Sequence, residues 1–146
     1  MTGDGGRLNR VLEERLTIFP NDAHALRMQS SMLMQNGAGE GLERGLVLRD
    51  RVLRIDDQQA EDHQMKALAL ADLGRMEAAV GALKQGLVAA PDNLPLNALT
   101  AQMLQAMGRA SEAETYVNKV MKLQQRLSAH APASAEPPDS AESMRR

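Results

Sequence analysis

Aromatic residues are almost absent from this chain of 146 residues, which has one phenylalanine, one tyrosine and no tryptophan. Proteins that hold single-stranded nucleic acid stack its bases on aromatic side chains. β-Sandwiches and barrels are rich in aromatic and β-branched residues. The composition argues against both classes, because helix formers predominate instead, among them alanine, leucine, glutamine, glutamate, arginine and ten methionines.

Cysteine is absent altogether, which excludes disulfides, thiolate metal ligands and cysteine nucleophiles. The formal net charge is −2, whereas binding to a phosphate backbone needs clustered lysine and arginine. No apolar run approaches the ~20 residues of a membrane span, and residues 1–6 lack the apolar core of a signal peptide. We therefore expect neither a nucleic-acid nor a membrane partner, and a cytoplasmic protein if the chain is full length.

Apolar residues recur at helical spacing through most of the chain, and no segment alternates with the period of two that a half-buried strand has. Glycines and proline–aspartate or proline–asparagine clusters interrupt this pattern at regular intervals. Seven helices are predicted, at residues 7–19, 23–36, 42–55, 60–73, 76–89, 94–107 and 110–127. The predicted fold is therefore all-α. Because the loops are short, neighbouring helices are expected to be antiparallel.

Composition also divides the chain into three segments. Residues 1–6 are small and rich in glycine, and they are predicted to be a flexible N-terminus. Residues 7–128 carry the helical pattern and form the predicted folded domain. Residues 129–146 change to alanine, proline, serine and charge, which cannot bury a core, and they are predicted to be a disordered tail.

The helices repeat at a fixed period, since Gly108 follows Gly74 by 34 residues and Ala101 follows Ala67 by the same step. In the preceding segment Ser30 precedes Ala67 by 37 residues, and the three additional residues fall in the loop 37–41. Small residues in the middle of both helices allow close approach, and glycine ends a helix in the left-handed conformation. Each helix pair therefore forms a hairpin that must stack on its neighbours to bury a core.

This pattern resembles the tetratricopeptide repeat family. The residues at the expected positions of the middle repeat are Ala67, Leu70, Gly74, Ala79, Leu83, Leu87 and Pro91. The match covers a half-repeat at 7–22 and three repeats at 23–59, 60–93 and 94–127. The resemblance implies a right-handed superhelix, an α-solenoid of antiparallel helix hairpins. Arg49 departs from the pattern, because it stands where the family places a large apolar residue.

The resemblance also implies a ligand-binding concave surface lined by the first helix of each repeat. The matching positions are His24, Arg27, Ser31, Met34 and Gln35, then Glu61, Gln64, Leu68, Ala71 and Asp72, then Ala98, Gln102, Gln105 and Ala106. This groove is mixed, nearly neutral and rich in glutamine. It lacks the lysine, asparagine and arginine set with which some family members hold a C-terminal carboxylate, so it favours an extended or helical peptide.

The sequence contains no recognisable catalytic set, metal site or cofactor motif. His24, His63 and His130 lack metal-ligand spacing, and consecutive helix residues such as Asp62 and His63 point about 100° apart. We interpret the run 61–63 as an acidic first turn, and Asp56 with Asp57 as caps of the helix that begins near Ala60. Residues 3–6 lack the strand and the lysine of a phosphate loop.

Three functions remain open. The first hypothesis is a non-catalytic protein-interaction scaffold that binds a peptide or partner helix in the concave groove. The second is a self-associating assembly module, because the apolar face of the half-repeat from Leu8 to Phe19 has no preceding helix to cover it. The third is a small secretion-type chaperone of the same architecture. An enzyme is the least favoured class.

Overall fold

The computed structural model describes residues 3–35 and 38–130, and its described part contains helices without strands. The seven helices are α1 (Gly3–Ile18), α2 (Ala23–Gln35), α3 (Gly39–Ile55), α4 (Ala60–Asp72), α5 (Met76–Ala89), α6 (Leu94–Ala106) and α7 (Ala110–His130). The predicted all-α fold is confirmed. None of the helices in this part of the chain is both long and apolar enough to span a bilayer.

The helices pair as hairpins, because the most extensive contacts join α2 with α3, α4 with α5, and α6 with α7. Fewer contacts, between α3 and α4 and between α5 and α6, join consecutive hairpins, and α1 packs against α2. This is the α-solenoid arrangement that the repeat predicts. The free energy of unfolding is then approximately the sum of a contribution from each hairpin and one from each junction between consecutive hairpins, since each unit contacts its sequence neighbours.

Local signals in the sequence explain where the helices end. Gly74 and Gly108 have φ angles of 77° and 74°, which glycine adopts without steric cost. The N–H group of Arg75 donates to the carbonyl of Leu70 at 2.8 Å, as in a Schellman motif. At the start of α6, the side chain of Asn93 accepts the N–H group of Leu96 at 2.9 Å, and Asp22 caps α2 similarly.

Small residues lie at the helix crossings, as predicted. Ala67 and Ala79 are fully buried where α4 meets α5. In the first hairpin the Ser30 hydroxyl donates to the carbonyl of Gly45 at 2.8 Å. A Cβ atom on Gly45 would lie 2.7 Å from Met34 Cγ, so glycine is required for α2 and α3 to approach this closely. The core that spans the hairpins is built mainly from leucine and alanine.

Exposed ion pairs, which we call the outer ion pairs, join the second helices of consecutive hairpins at equivalent positions. Arg75, which directly precedes α5, bonds Glu43 of α3 at 3.1 Å. Arg109 bonds Glu77 of α5 at 2.9 Å. Both bonds join residues 32 positions apart, so they are a property of the repeat. Bonds to Glu43 raise the pKa of Arg75, and both arginines stay charged.

The structure corrects the expected limits of the folded segment. Helix α1 begins at Gly3, so residues 3–6 of the segment expected to be flexible are helical, with Asp4 in the first turn where a carboxylate favours the helix dipole. Helix α7 continues to His130, beyond the predicted end at Leu127. Residues 1–2 and 131–146, which complete the two predicted flexible ends, lie outside the described residues, as do residues 36–37 between α2 and α3.

Candidate interaction faces of the stack

The predicted groove positions all lie on α2, α4 and α6, the first helices of the three hairpins. The exposed members are His24, Gln35, Glu61, Leu68, Asp72, Ala98, Gln102, Gln105 and Ala106. The half-buried members are Arg27, Ser31, Met34, Gln64 and Ala71. We call the exposed side chains Leu68, Asp72, Ala98, Gln102 and Gln105 of α4 and α6, together with half-buried Gln64, the first-helix face.

A cleft of about 370 Å³ separates α2 from α4. Its lining residues are Arg27, Ser31, Gln35, Arg49, Gln59, Glu61, Asp62 and Met65. The structure therefore brings Arg27, Ser31, Gln35 and Glu61 of the predicted groove together in one cleft. The remaining predicted positions lie outside its lining.

A buried charge network forms the floor of this cleft. Asp62 is 1% exposed and Arg49 is 2% exposed, and the Arg49 guanidinium donates to the Asp62 carboxylate at 2.5 Å. The other carboxylate oxygen accepts a bond from Arg27 Nε at 2.7 Å. Arg49 also donates to the Ser31 hydroxyl at 3.0 Å. Two arginines thus share one buried carboxylate, which fixes α2, α3 and α4 relative to one another.

Arg27 is held by this network rather than free in the cleft. Partial burial lowers the pKa of Arg27, but the bonds to Asp62 and Asp56 outweigh that effect and raise it overall. The pKa of Asp56 falls, first because its carboxylate accepts the N–H group of Gln58, and further because Arg27 bonds it at 3.2 Å. Arg27 is therefore a structural contact within the stack, and its predicted role in binding a partner stays a prediction.

The first turn of α4 is acidic as predicted, since it contains Glu61 and Asp62, but the predicted capping of this helix by Asp56 and Asp57 is wrong. Asp62 is a buried ion-pair partner, and the N-cap of α4 is Gln59, whose side chain makes no capping bond within the described chain. Asp56 is the C-cap of α3. The available signal was Arg49 at an apolar repeat position, because a buried guanidinium requires a carboxylate from a neighbouring helix.

Met34 and Ala71 are less accessible in the predicted groove than the resemblance implies. Both pack against the buried core. The sulfur of Met34 lies 3.9 Å from the Ser30 hydroxyl, at the contact between α2 and α3. His63 is buried, and its Nε2 lies 2.8 Å from the carbonyl of Asp57. The part of the chain that the structure describes holds no group of three metal-ligating side chains.

Two further grooves lie between consecutive second helices. The α3–α5 groove has a volume of about 650 Å³. The α5–α7 groove has a volume of about 670 Å³. A shift of 34 residues relates them, because it converts Leu53 to Leu87 and His63 to Asn97. The repeat therefore builds the same groove twice.

Helix α1 presents an apolar face in the direction away from α2. The exposed residues are Leu8, Val11, Ile18 and Phe19. Ile18 is 70% exposed, whereas Leu12 on the side facing α2 is 4% exposed. An exposed apolar stripe of this kind on a helical repeat is a typical association surface.

The chain matches no family model and no curated protein in sequence. Solved structures share its fold. MamA from MSR-1 is 21% identical, with 86% of this chain and 70% of that chain covered and a TM-score of 0.69. A double mutant of MamA from RS-1 is 18% identical, with 87% and 70% covered and a TM-score of 0.76. MamA from residue 41 to its end, from Desulfovibrio magneticus RS-1, is 18% identical, with 85% and 68% covered and a TM-score of 0.73. The chain therefore has the helical-repeat fold of these MamA structures.

Proposed function

We propose that the chain is a non-catalytic protein-interaction module whose first-helix face binds an extended or helical peptide of a partner protein. The observation that carries this proposal is the exposure of α4 and α6 on one side. These two helices have neighbours both before and after them in the stack, yet Leu68 is 38% exposed and Gln102 and Gln105 are also exposed.

The chemistry of the first-helix face suits a peptide main chain. Gln64, Gln102 and Gln105 each provide an amide that both donates and accepts hydrogen bonds. Leu68 supplies apolar contact between them. The buried network of Arg49 and Asp62 makes α4 a rigid support, which lowers the conformational entropy lost on binding. Repeat stacks of this fold generally offer such extended surfaces to partners.

A triple substitution tests the face without disturbing the ion network. Gln64→Ala/Leu68→Asp/Gln102→Ala should weaken binding to a purified partner, identified beforehand by cross-linking in the native cell, by at least about tenfold in Kd, which is ~1.4 kcal/mol. Isothermal titration calorimetry measures this loss. The matched control is Gln85→Ala/Val88→Asp/Gln125→Ala, which changes exposed residues of α5 and α7. Equal Kd values for the wild type and the first variant would contradict the proposal.

Self-association through α1 is the second candidate function, and the exposed Val11 and Ile18 favour it. Light scattering after gel filtration should then give a mass above 15.9 kDa that rises with concentration. Val11→Glu/Ile18→Glu should return the chain to a monomer. Val47→Glu/Val88→Glu, which alters exposed valines of α3 and α5, should leave the mass unchanged. A wild-type chain that is monomeric at every concentration removes this candidate.

A further inference from the structure

The two grooves between second helices occupy equivalent positions and have similar volumes, but one is neutral and the other is positively charged. The α3–α5 groove is lined by two acids and two bases, namely Asp50, Asp57, Arg54 and Lys66, and these charges cancel. The 34-residue shift replaces Asp50 by Lys84, Gln85 by Lys119 and Val88 by Lys122. The α5–α7 groove thus has three lysines in its lining, and among the described residues no carboxylate lines it.

Acids near the α5–α7 groove compensate this positive charge only in part. Asp92 lies 2.6 Å from Lys119, but it also lies 3.7 Å from Arg126. Glu112 lies 3.8 Å from Lys84, but Arg109 bonds the same carboxylate at 2.7 Å. Each acid serves two bases, and Lys122 makes no ion pair within residues 3–35 and 38–130.

The floor of the α5–α7 groove is apolar and uncharged. Leu87, Pro91 and Tyr116 lie between the lysines, and Leu87 and Tyr116 also pack against the core. Both N–H groups of the Asn97 amide are used within the fold, on the carbonyls of Pro91 at 3.0 Å and Asn93 at 2.8 Å. The volume lies within the range of about 300–1,000 Å³ that is typical of ligand clefts.

We propose that the α5–α7 groove is a second docking site, which binds a short acidic segment of a partner protein that alternates carboxylate and aliphatic side chains. Lys84, Lys119 and Lys122 pair with the carboxylates, and Leu87 and Tyr116 contact the aliphatic side chains. Charge complementarity selects this occupant, because opposite potentials accelerate encounter and reject neutral competitors. A nucleic acid is disfavoured, since the whole chain has a net charge of −2 and the groove offers only half-buried Tyr116 for stacking.

Tyr116 provides a reporter that is specific for this groove. The chain has one tyrosine and no tryptophan, so its intrinsic fluorescence comes from Tyr116 alone. The probe is a ten-residue peptide of alternating leucine and glutamate without aromatic residues, and the control peptide has glutamine in place of glutamate. Titration of the full chain with the acidic peptide at low salt should change the tyrosine emission and saturate. The glutamine peptide should change it at least about tenfold more weakly, and added salt should weaken the binding.

Matched variants locate the site. Lys84→Gln/Lys119→Gln/Lys122→Gln should raise the Kd of the acidic peptide at least about tenfold, with an unchanged helical circular dichroism spectrum. Arg54→Gln/Lys66→Gln, which removes the bases of the equivalent α3–α5 groove, should leave the Kd unchanged. Equal binding of both peptides, or equal Kd values for the wild type and the lysine variant, would overturn the proposal.

Two other occupants have distinct signatures, and either would overturn the proposal. Binding of the peptide only after Glu136→Gln/Asp139→Asn/Glu142→Gln would assign the groove to the C-terminal segment of the same chain. Tighter binding of an oligothymidylate than of the peptide, lost in the lysine variant, would assign it to nucleic acid. The site is independent of the first-helix face, so its failure leaves that proposal intact.

Discussion

The junctions between consecutive hairpins occupy equivalent positions but differ in chemistry. At the α3–α4 junction, Arg49 and Asp62 form a buried ion pair. At the α5–α6 junction, 34 residues further on, the same positions hold Leu83 and Leu96, and both are fully buried. Equivalent positions of the repeat are therefore buried at both junctions, although the side chains are charged at one and apolar at the other.

The exposed ion pairs beside these junctions do not share this difference, because they are the same at both. Arg75 bonds Glu43 beside the polar junction, and Arg109 bonds Glu77 beside the apolar one. In the polar junction each charge depends on its partner, since an unpaired buried charge is costly. In the apolar junction each leucine contributes by packing, which tolerates other side chains of similar volume.

The largest expected effect is the loss of the buried carboxylate. Asp62→Leu leaves Arg49 buried without its acid and should lower the free energy of unfolding by about 3–5 kcal/mol. Urea denaturation followed by circular dichroism measures this loss. Glu43→Leu is the control, because it removes the partner of exposed Arg75 and should cost at most ~1 kcal/mol. A loss for Asp62→Leu as small as that of the control would show that the network contributes little.

Converting the polar junction into the apolar one tests whether the two are interchangeable. Arg49→Leu/Asp62→Leu should restore the stability lost in the single variant and range from the wild-type value to ~1–4 kcal/mol above it, because no buried charge remains. Arg27 keeps its bond to Asp56 in this variant. The same urea titration applies. A double variant as unstable as Asp62→Leu would mean that the polar junction also has a shape that leucines do not fill.

Two glycines of α5 differ in the space around them, since Gly86 is closely surrounded by other helices and Gly81 is not. A Cβ atom on Gly86 would lie 2.7 Å from His63 Cβ and 3.0 Å from Leu96 Cδ1, so Gly86→Ala should cost about 1–3 kcal/mol. No atom lies within 4 Å of the Cβ position of Gly81, and Gly81→Ala should stabilise the chain by about 0.5–1 kcal/mol. Thermal melts of both variants measure the difference. Shifts of the same sign would contradict the packing of α5 against α4 and α6.

The smallest expected effect is on pH dependence. The folded-state pKa of Asp56 is lowered, chiefly by the N–H group of Gln58, so its contribution to stability is present above the ordinary value of 3.8 and is lost as pH falls through the folded value. Asp56→Asn should therefore flatten the decline of Tm between about pH 5 and pH 2. Asp57→Asn, the neighbouring exposed acid, is the control. Parallel Tm curves for the wild type and Asp56→Asn would contradict this role.

Most of the fold could be predicted from the sequence because its signals are local. Gly74 and Gly108 end helices through their own backbone conformation, and Asp22 and Asn93 cap helices through residues three positions away. The buried alanines could be predicted as well, since they recur at the repeat period. The extension of α1 to Gly3 was missed, because residues 3–6 carry three glycines, which are weak helix formers.

The candidate sites were less predictable because they depend on contacts between helices. Arg49 and Asp62 are 13 residues apart on different helices, and neither residue type alone indicates burial. Met34 was placed in the groove although it packs between α2 and α3. The lysines of the α5–α7 groove were missed because they lie on second helices, outside the positions that the family resemblance singles out. The binding role of the first-helix face stays a prediction.

The outer ion pairs have a consequence for how the stack can grow. In each pair, the arginine that follows a helix-ending glycine bonds a glutamate that precedes it by 32 residues and lies on the second helix of the previous hairpin. A tandem duplication of residues 75–108 would place its new arginine opposite Glu77, and its new glutamate opposite Arg109. The inserted unit would thus bring its own ion pairs to both neighbours, and the new hairpin contact would be the one between α6 and the second copy of α5.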